Sequence, residues 1–305
     1  MTNLVRSERN VNAEQLEQMA HGAGFIAALD QSGGSTPGAL ALYGIPRDAY
    51  DSDDEMLSLM HAMRERIVTN PAFTGDRILA AILFEDTIDR RFAGSDAAKY
   101  LWGEKHVVPF VKVDKGLAPE ENGARCMNPM PELDALLDKA IAKGVFGTKM
   151  RSFIHLANPV GVQAVVDQQF EIALSILEKG LVPILEPEID IASPDKQVAE
   201  SLLRDALVKG LDELTGDQRV MIKLTLPERD DYYVPLIEHP RVVRVVALSG
   251  GYTRDQANER LVRNHRMIAS FSRALTEGLN VDMSDDGFTA ELSSAIEEIY
   301  AASIT

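Results

Sequence analysis

Short apolar, β-branched runs recur along the chain, and most are followed by a segment whose apolar residues fall at helical spacing. Eight runs stand out: GFIAALD (24–30), RILAAILF (77–84), VVPFVKVD (107–114), GVFGTKMRS (144–152), LVPILEPEID (181–190), RVMIKLTLP (219–227), RVVRVVALSGG (241–251) and MIASFSRAL (267–275). Helical patterns between them include DDEMLSLMHAMRERIVTN (53–70), PVGVQAVVDQQFEIALSILEKG (159–180) and VAESLLRDALVKGLDEL (198–214). A strand–helix alternation predicts a parallel sheet, and eight units in about 280 residues suit a closed (β/α)8 TIM barrel. A doubly wound open sheet shares the alternation, but no Gly-x-Gly-x-x-Gly follows the first run. No shift in composition or Pro/Ser-rich linker divides the chain, so a single domain over 1–305 is expected. It carries an extra helix near 11–22 and a last one within DGFTAELSSAIEEIYAASIT.

In such a barrel the reactive groups lie at the carboxyl ends of the strands, where alternate residues point inward. Charges gather there. The first run ends at Asp30, the third carries Lys112 and Asp114, the fourth Lys149 and Arg151, the fifth Glu186 and Glu188, the eighth Arg273. A two-residue spacing puts each pair on one face of its strand. Taken singly, such charges are ordinary solvated strand ends or structural ion pairs. Lys223 differs, because it sits inside its run among Met221, Ile222, Leu224 and Leu226 with no carboxylate beside it in sequence. A buried ammonium costs several kcal/mol, roughly, unless it is paired or neutral. Its partners must come from other strands, with Lys149, Glu186 and Asp30 as candidates. A partly neutral lysine is a nucleophile able to form an imine with a carbonyl substrate.

Two glycine-containing stretches have the character of anion grips. LSGGYTRDQA ends the seventh run in Ser249, Gly250 and Gly251 and opens a helix in which Thr253 and Gln256 have capping-box spacing. With Arg273 it occupies the strand seven to eight position where barrels often bind phosphate. DQSGGSTPG, after the first run, offers the hydroxyls of Ser32 and Ser35. Two grips point to a substrate with two phosphates.

The balance of 31 basic and 47 acidic side chains, a net charge of −16, argues against nucleic acid or an anionic membrane as partner. The lone cysteine, Cys126, excludes an intrachain disulfide and fits a reducing compartment. The polar start MTNLVRSERN and the absence of an apolar run near ~20 residues suggest a cytoplasmic protein. The six histidines form no His-x-x-x-His or His-x-His pair, so no metal site is expected. DMSDDG imitates the start of a calcium loop, but Ser293 stands where the twelfth-position acid belongs, which predicts a turn and helix cap. YDSDDE is expected to be a solvated helix start.

With these residues assembled, the sequence resembles the class I, Schiff-base fructose-1,6-bisphosphate aldolases in a compact bacterial form. AALDQSGGS, VKVDKG, GTKMRS, PILEPEI, MIKLTLP, LSGG and SFSRAL match the family's motifs in order from residue 24 to about residue 275, PILEPEI being the most specific. The resemblance implies a metal-independent lyase of glycolysis and gluconeogenesis, acting on a sugar bisphosphate and triose phosphates through a covalent imine on Lys223. Lys149 would assist carbinolamine chemistry and help the nucleophile shed its proton. Glu186 would be the general acid/base and Glu188 its supporting carboxylate. Asp30 would hydrogen-bond the hydroxyl on the substrate's fourth carbon. Ser32, Ser35 and Lys112 would meet the 6-phosphate, and Ser249, Gly250, Gly251 and Arg273 the 1-phosphate, while Arg151 would steady the sugar or its phosphate.

There are departures from the family pattern. Gly38 and Ala39 stand where basic residues often follow the first-strand serines, and Ser272 where glycine is common. The tail lacks the tyrosine-ended extension of animal relatives, and Tyr300 is expected on a helix surface. Other Schiff-base enzymes, such as transaldolase or deoxyribose-phosphate aldolase, share the imine chemistry, and a catalytically silent scaffold shares the barrel. The two anion grips and the retained set Lys223, Lys149, Glu186 and Asp30 weigh against them. The sequence leaves the oligomeric state open, a homo-oligomer included.

Overall fold

The computed structural model describes residues 12–305, so the polar opening stretch and the first residue of the expected 11–22 helix lie outside the described residues. All eight apolar runs contain a strand: β1 (Phe25–Leu29), β2 (Ile78–Leu83), β3 (Val108–Lys112), β4 (Gly147–Ile154), β5 (Val182–Ile189), β6 (Val220–Thr225), β7 (Val242–Leu248) and β8 (Ile268–Phe271). They pair in the order β3-β2-β1-β8-β7-β6-β5-β4, and a further parallel pairing of β3 with β4, Lys112 opposite Lys149, closes the ring. The fold is the (β/α)8 barrel that the alternation predicts.

The helices Asp53–Thr69, Ala97–Lys105, Leu133–Lys143, Pro159–Glu178, Lys196–Asp212, Arg254–Leu261 and Asp285–Ser303 surround the barrel. Several begin as their sequences dictate. Ser52 Oγ accepts from the Glu55 amide at 3.2 Å, and Thr253 and Gln256 form a reciprocal capping box. DMSDDG is likewise a cap, with Ser284 Oγ accepting from the Gly287 amide at 3.2 Å.

Strand alternation divides the apolar residues into two cores. Ile26 and Ala28 of β1, Ala80 and Ile82 of β2, Val108 and Phe110 of β3, Ile184 of β5, Met221 of β6, Val246 of β7 and Ile268 of β8 fill the barrel interior. Their strand neighbours face the helices and pack in a larger cluster with Met60, Ile67, Val165 and Leu203. Gly147 makes room for this filling, since a Cβ there would lie 2.5 Å from the Phe110 ring. The helix Ala13–His21 seals the amino end: Met19 joins the interior cluster with 0% exposure. Arg244 holds that helix by donating to Met19 O and Gly22 O, each at 3.0 Å.

Three expected boundaries move for local reasons. The fourth strand starts at Gly147 rather than 144, because Gly144, at φ +84°, ends the preceding helix in the left-handed conformation. The helix expected at 198–214 runs Lys196–Asp212. The eighth strand stops at Phe271, and Arg273 opens a helical turn, Arg273–Thr276, instead of extending the strand.

Candidate active site

The alternation that fills the barrel with apolar side chains continues toward its carboxyl end into charge. Asp30 follows Ile26 and Ala28, Lys112 follows Val108 and Phe110, Lys149 follows Gly147, Glu186 follows Ile184, and Lys223 follows Met221. A short inward layer of opposite charges thus stands on an apolar plug, with little water to screen it.

Four of these side chains form a continuous chain of contacts. Lys149 Nζ lies 2.5 Å from Asp30 Oδ2 and 2.9 Å from Glu186 Oε2, while Lys223 Nζ lies 2.9 Å from Glu186 Oε1. None of the four is more than 9% exposed. Lys223 is therefore buried as its apolar neighbours predict, and its partner comes from the adjacent strand. Burial pushes the Asp30 pKa up, but Lys149 and Lys223 more than offset it and bring it down to about 2. Burial opposes ionisation of Glu186 too, and the same two lysines hold it below the usual carboxylate value. Burial disfavours the Lys149 ammonium, yet Asp30 and Glu186 raise its pKa well above that of a free lysine. Lys149 is thus the fixed cation between two fixed anions. Glu186 thus meets a lysine with each carboxylate oxygen, Lys149 at Oε2 and Lys223 at Oε1.

A second layer lies one step further along the strands. Arg151 Nε contacts Glu188 Oε2, and the Arg151 amide donates to Asp114 Oδ2 at 3.1 Å. Lys112 Nζ contacts Asp114 Oδ1 at 2.5 Å. Glu188 thus contacts Arg151 in this layer, not Lys223 or Lys149. The Thr225 hydroxyl donates to Ile189 O at 2.7 Å and accepts from Ile189 N at 2.9 Å, fixing β5 against the lysine strand.

The glycine stretches adopt compact turns. Gly250 and Gly251 have φ of +61° and +120°, which a side chain would strain. Ser249 is buried beneath them, and Arg273, itself exposed, brings Nη2 within 3.8 Å of where a Cβ on Gly251 would stand. Ser249, Gly250, Gly251 and Arg273 therefore share one corner of the mouth. In the first-strand turn, Ser35 Oγ donates to Ser32 O at 2.9 Å and accepts from the Ser32 amide at 3.0 Å. No hydrogen bond joins Ser32 or Ser35 to Lys112, which is engaged by Asp114. Tyr300 lies at the opposite end of the barrel, where Arg77, preceding β2, stacks 5.4 Å from its ring centre.

Sequence reasoning did not single out Arg64, Gln31 or Ser270. Arg64 is 0% exposed on the helix Asp53–Thr69, and Gln31 follows Asp30 directly. Gln31 Nε2 donates to Ser272 Oγ at 2.8 Å, which gives that departure from the family pattern a partner. Ser270 shares the inward face of β8 with Ile268, and its buried hydroxyl has no protein partner. An arginine on the Met60–Ile67 face of an amphipathic helix is the sequence signal that would have found Arg64. Among the described residues, no cluster of His, Cys, Asp and Glu is arranged to hold a metal ion, and no helix is long and apolar enough to cross a membrane.

Known proteins share this arrangement's sequence and fold. The family model described as fructose-bisphosphate aldolase class-I matches residues 15–215. The class 1 fructose-bisphosphate aldolase of Synechocystis sp. is 60% identical over 294 residues, covering 96% of this chain and 98% of that protein. The class 1 enzyme of Clostridium acetobutylicum is 53% identical over 97% of this chain and all 100% of its own length. A solved structure of fructose-bisphosphate aldolase from Plasmodium falciparum superposes with a TM-score of 0.70 over 97% of this chain and 96% of that one. At 18% identity that likeness concerns the fold. The eight-stranded barrel, the matched model and relatives this similar along their whole lengths lead to one conclusion: the chain belongs to the class I fructose-bisphosphate aldolase family.

Proposed function

We propose that Lys223 is the imine-forming residue of a reversible aldol cleavage that converts fructose 1,6-bisphosphate to dihydroxyacetone phosphate and glyceraldehyde 3-phosphate. The observation that carries this reading is the buried Lys223 amine 2.9 Å from Glu186, whose carboxylate is shared with Lys149. The neutral amine attacks the substrate ketone at the second carbon. Glu186 relays the protons that turn the carbinolamine into a protonated imine, and water leaves. The bond between the third and fourth carbons then breaks. Its electron pair moves into the imine as an enamine, while the hydroxyl on the fourth carbon passes its proton to the Asp30 carboxylate that holds it and becomes the aldehyde. Protonation of the enamine and hydrolysis of the imine return the amine. Lys149, held as a cation by two carboxylates, stands across Glu186 from the reacting amine and assists the carbinolamine step.

In this reading Ser249, the Gly250 and Gly251 amides and Arg273 take the 1-phosphate. Lys112, Ser32 and Ser35 take the 6-phosphate once substrate displaces the internal contacts, and Arg151, oriented by Glu188, bridges the sugar. The reading places the protein in the cytoplasm, where a lone, half-buried cysteine, Cys126, needs no disulfide partner. Borohydride reduction in the presence of dihydroxyacetone phosphate tests the assignment. A single adduct on Lys223 is expected; an adduct on another lysine, or cleavage abolished by a chelator, overturns it.

A further inference from the structure

Arg64 presents an energetic puzzle. It is 0% exposed, yet no carboxylate lies within ion-pair distance of it among the described residues. Its guanidinium donates to neutral groups: Nη1 to Thr87 Oγ1 at 2.8 Å, and Nη2 to Gln31 O at 2.5 Å and more distantly to Gln31 Oε1 at 3.5 Å. Its Nε has no partner. Burial lowers its pKa to about 10, so it remains a cation at neutral pH. The surrounding helix face, Met56, Met60, Met63 and Ile67, would be packed as well by a methionine. Asp30 and Asp86 support the charge from beyond ion-pair distance, and a buried cation whose direct contacts are neutral acceptors is a poor way to stabilise a core. What it does accomplish is geometric, because it grips both the main chain and the side chain of the residue after Asp30.

Gln31 is in turn the link between two strand ends. With its amide oxygen turned toward Arg64, its Nε2 donates to Ser272 Oγ at 2.8 Å. Ser272 immediately precedes Arg273 and opens the helical turn that carries it. Thr87, gripped by the other arm of the guanidinium, lies just past the end of β2. One buried side chain therefore ties together the carboxyl ends of β2, β1 and, through Gln31, β8.

We infer that Arg64 is a positioning residue: through Gln31 and Ser272 it sets the turn bearing Arg273 relative to Asp30, and so fixes the distance between the phosphate grip and the reacting carbons. This inference rests on the assignment of Arg273 and Asp30 given above. A fork of planar donors serves this purpose better than an ammonium, which cannot hold two strand ends at fixed angles.

Steady-state kinetics on fructose 1,6-bisphosphate with Arg64→Met, Arg64→Lys, Ser272→Ala and the double variant Arg64→Met/Ser272→Ala test it. Arg64→Met and Ser272→Ala are each expected to raise KM roughly 3- to 10-fold with a smaller change in kcat. The double variant should be no worse than about the larger single effect, because both break one relay. Arg64→Lys should recover only part of the loss. Unchanged KM in Ser272→Ala, or effects that multiply in the double variant, would overturn the inference. Should Arg64→Met fail to fold, Ser272→Ala decides alone, since its backbone, at φ −106°, accepts alanine without strain. Borohydride trapping on the unaltered enzyme separates the two levels. No adduct on Lys223 defeats the underlying reading, whereas an adduct with normal KM in the variants defeats only the relay.

Discussion

Lys223 Nζ and Glu186 Oε1 stand 2.9 Å apart, each side chain 4% exposed, on neighbouring strands of the barrel. The contact gives a lysine inside an apolar strand its partner from the next strand, and in the proposed mechanism it stands the imine-forming amine beside the carboxylate that relays protons. Replacing Lys223 by methionine should lower kcat on the order of 10⁵-fold. Glu186 keeps Lys149 at 2.9 Å, so the carboxylate is not stranded and the fold should survive. Circular dichroism together with cleavage assays checks both halves; residual activity within tenfold of the unaltered enzyme would remove Lys223 from the chemistry.

Lys149 should behave oppositely with respect to stability. It touches two buried carboxylates, and Lys149→Met would leave Asp30 and Glu186 with Lys223 as the cation of the cluster. Removing one member of a buried ionic set costs about 3–5 kcal/mol when a charge is left unpaired. Lys149→Met is therefore expected to lower Tm clearly more than Lys223→Met, measured side by side at pH 7. Equal melting temperatures would show that the ion chain does not depend on its central cation.

The sequence made much of this layout readable because two periodicities coincide. Residues 26, 28 and 30, or 182, 184 and 186, alternate as a strand must, so apolar filling and charged mouth appear in one run of letters. Lys223 stood out because nothing in its own strand could pair it. Pairings across strands were less legible. Register decides that Glu188 meets Arg151 and that the Arg151 amide meets Asp114, and no local pattern encodes register between residues 37 apart on neighbouring strands. Arg64 is legible only in part: helical spacing places it on the Met60–Ile67 face, but which groups the buried guanidinium holds is set by strand ends distant in sequence. Arg273 reads as the end of a strand because apolar letters continue past Phe271, whereas the chain bends at Ser272 into a helical turn.

The phosphate assignment at the seventh and eighth strands makes its own prediction. Arg273 is exposed and lies close to Gly251, so its removal costs little packing. Arg273→Ala should raise KM for fructose 1,6-bisphosphate roughly 10- to 100-fold, as expected for a lost charge-assisted hydrogen bond, with kcat changed less. A substrate lacking the 1-phosphate should show no such penalty. If the variant binds both substrates as the unaltered enzyme does, the grip lies elsewhere.

The acid limb of stability follows from Asp30. Its pKa falls from the ordinary 3.8 to about 2, since Lys149 and Lys223 outweigh the burial that opposes ionisation. The folded protein therefore binds this proton less tightly than the unfolded chain does. A carboxylate of that kind contributes stability that is complete above its unfolded value and is lost as pH falls through the folded one. A depression of nearly two units corresponds to about 2–3 kcal/mol. Glu186, lowered by the same lysines, adds in the same direction. Urea titrations of the unaltered protein and of Asp30→Asn should accordingly differ by a constant amount from about pH 5 upward and converge as pH drops from about 4 toward 2. A gap that stayed constant down to the lowest pH would mean that Asp30 is not ionised against Lys149 in the folded state, and the electrostatic basis for a fixed cation beside Lys223 would go with it.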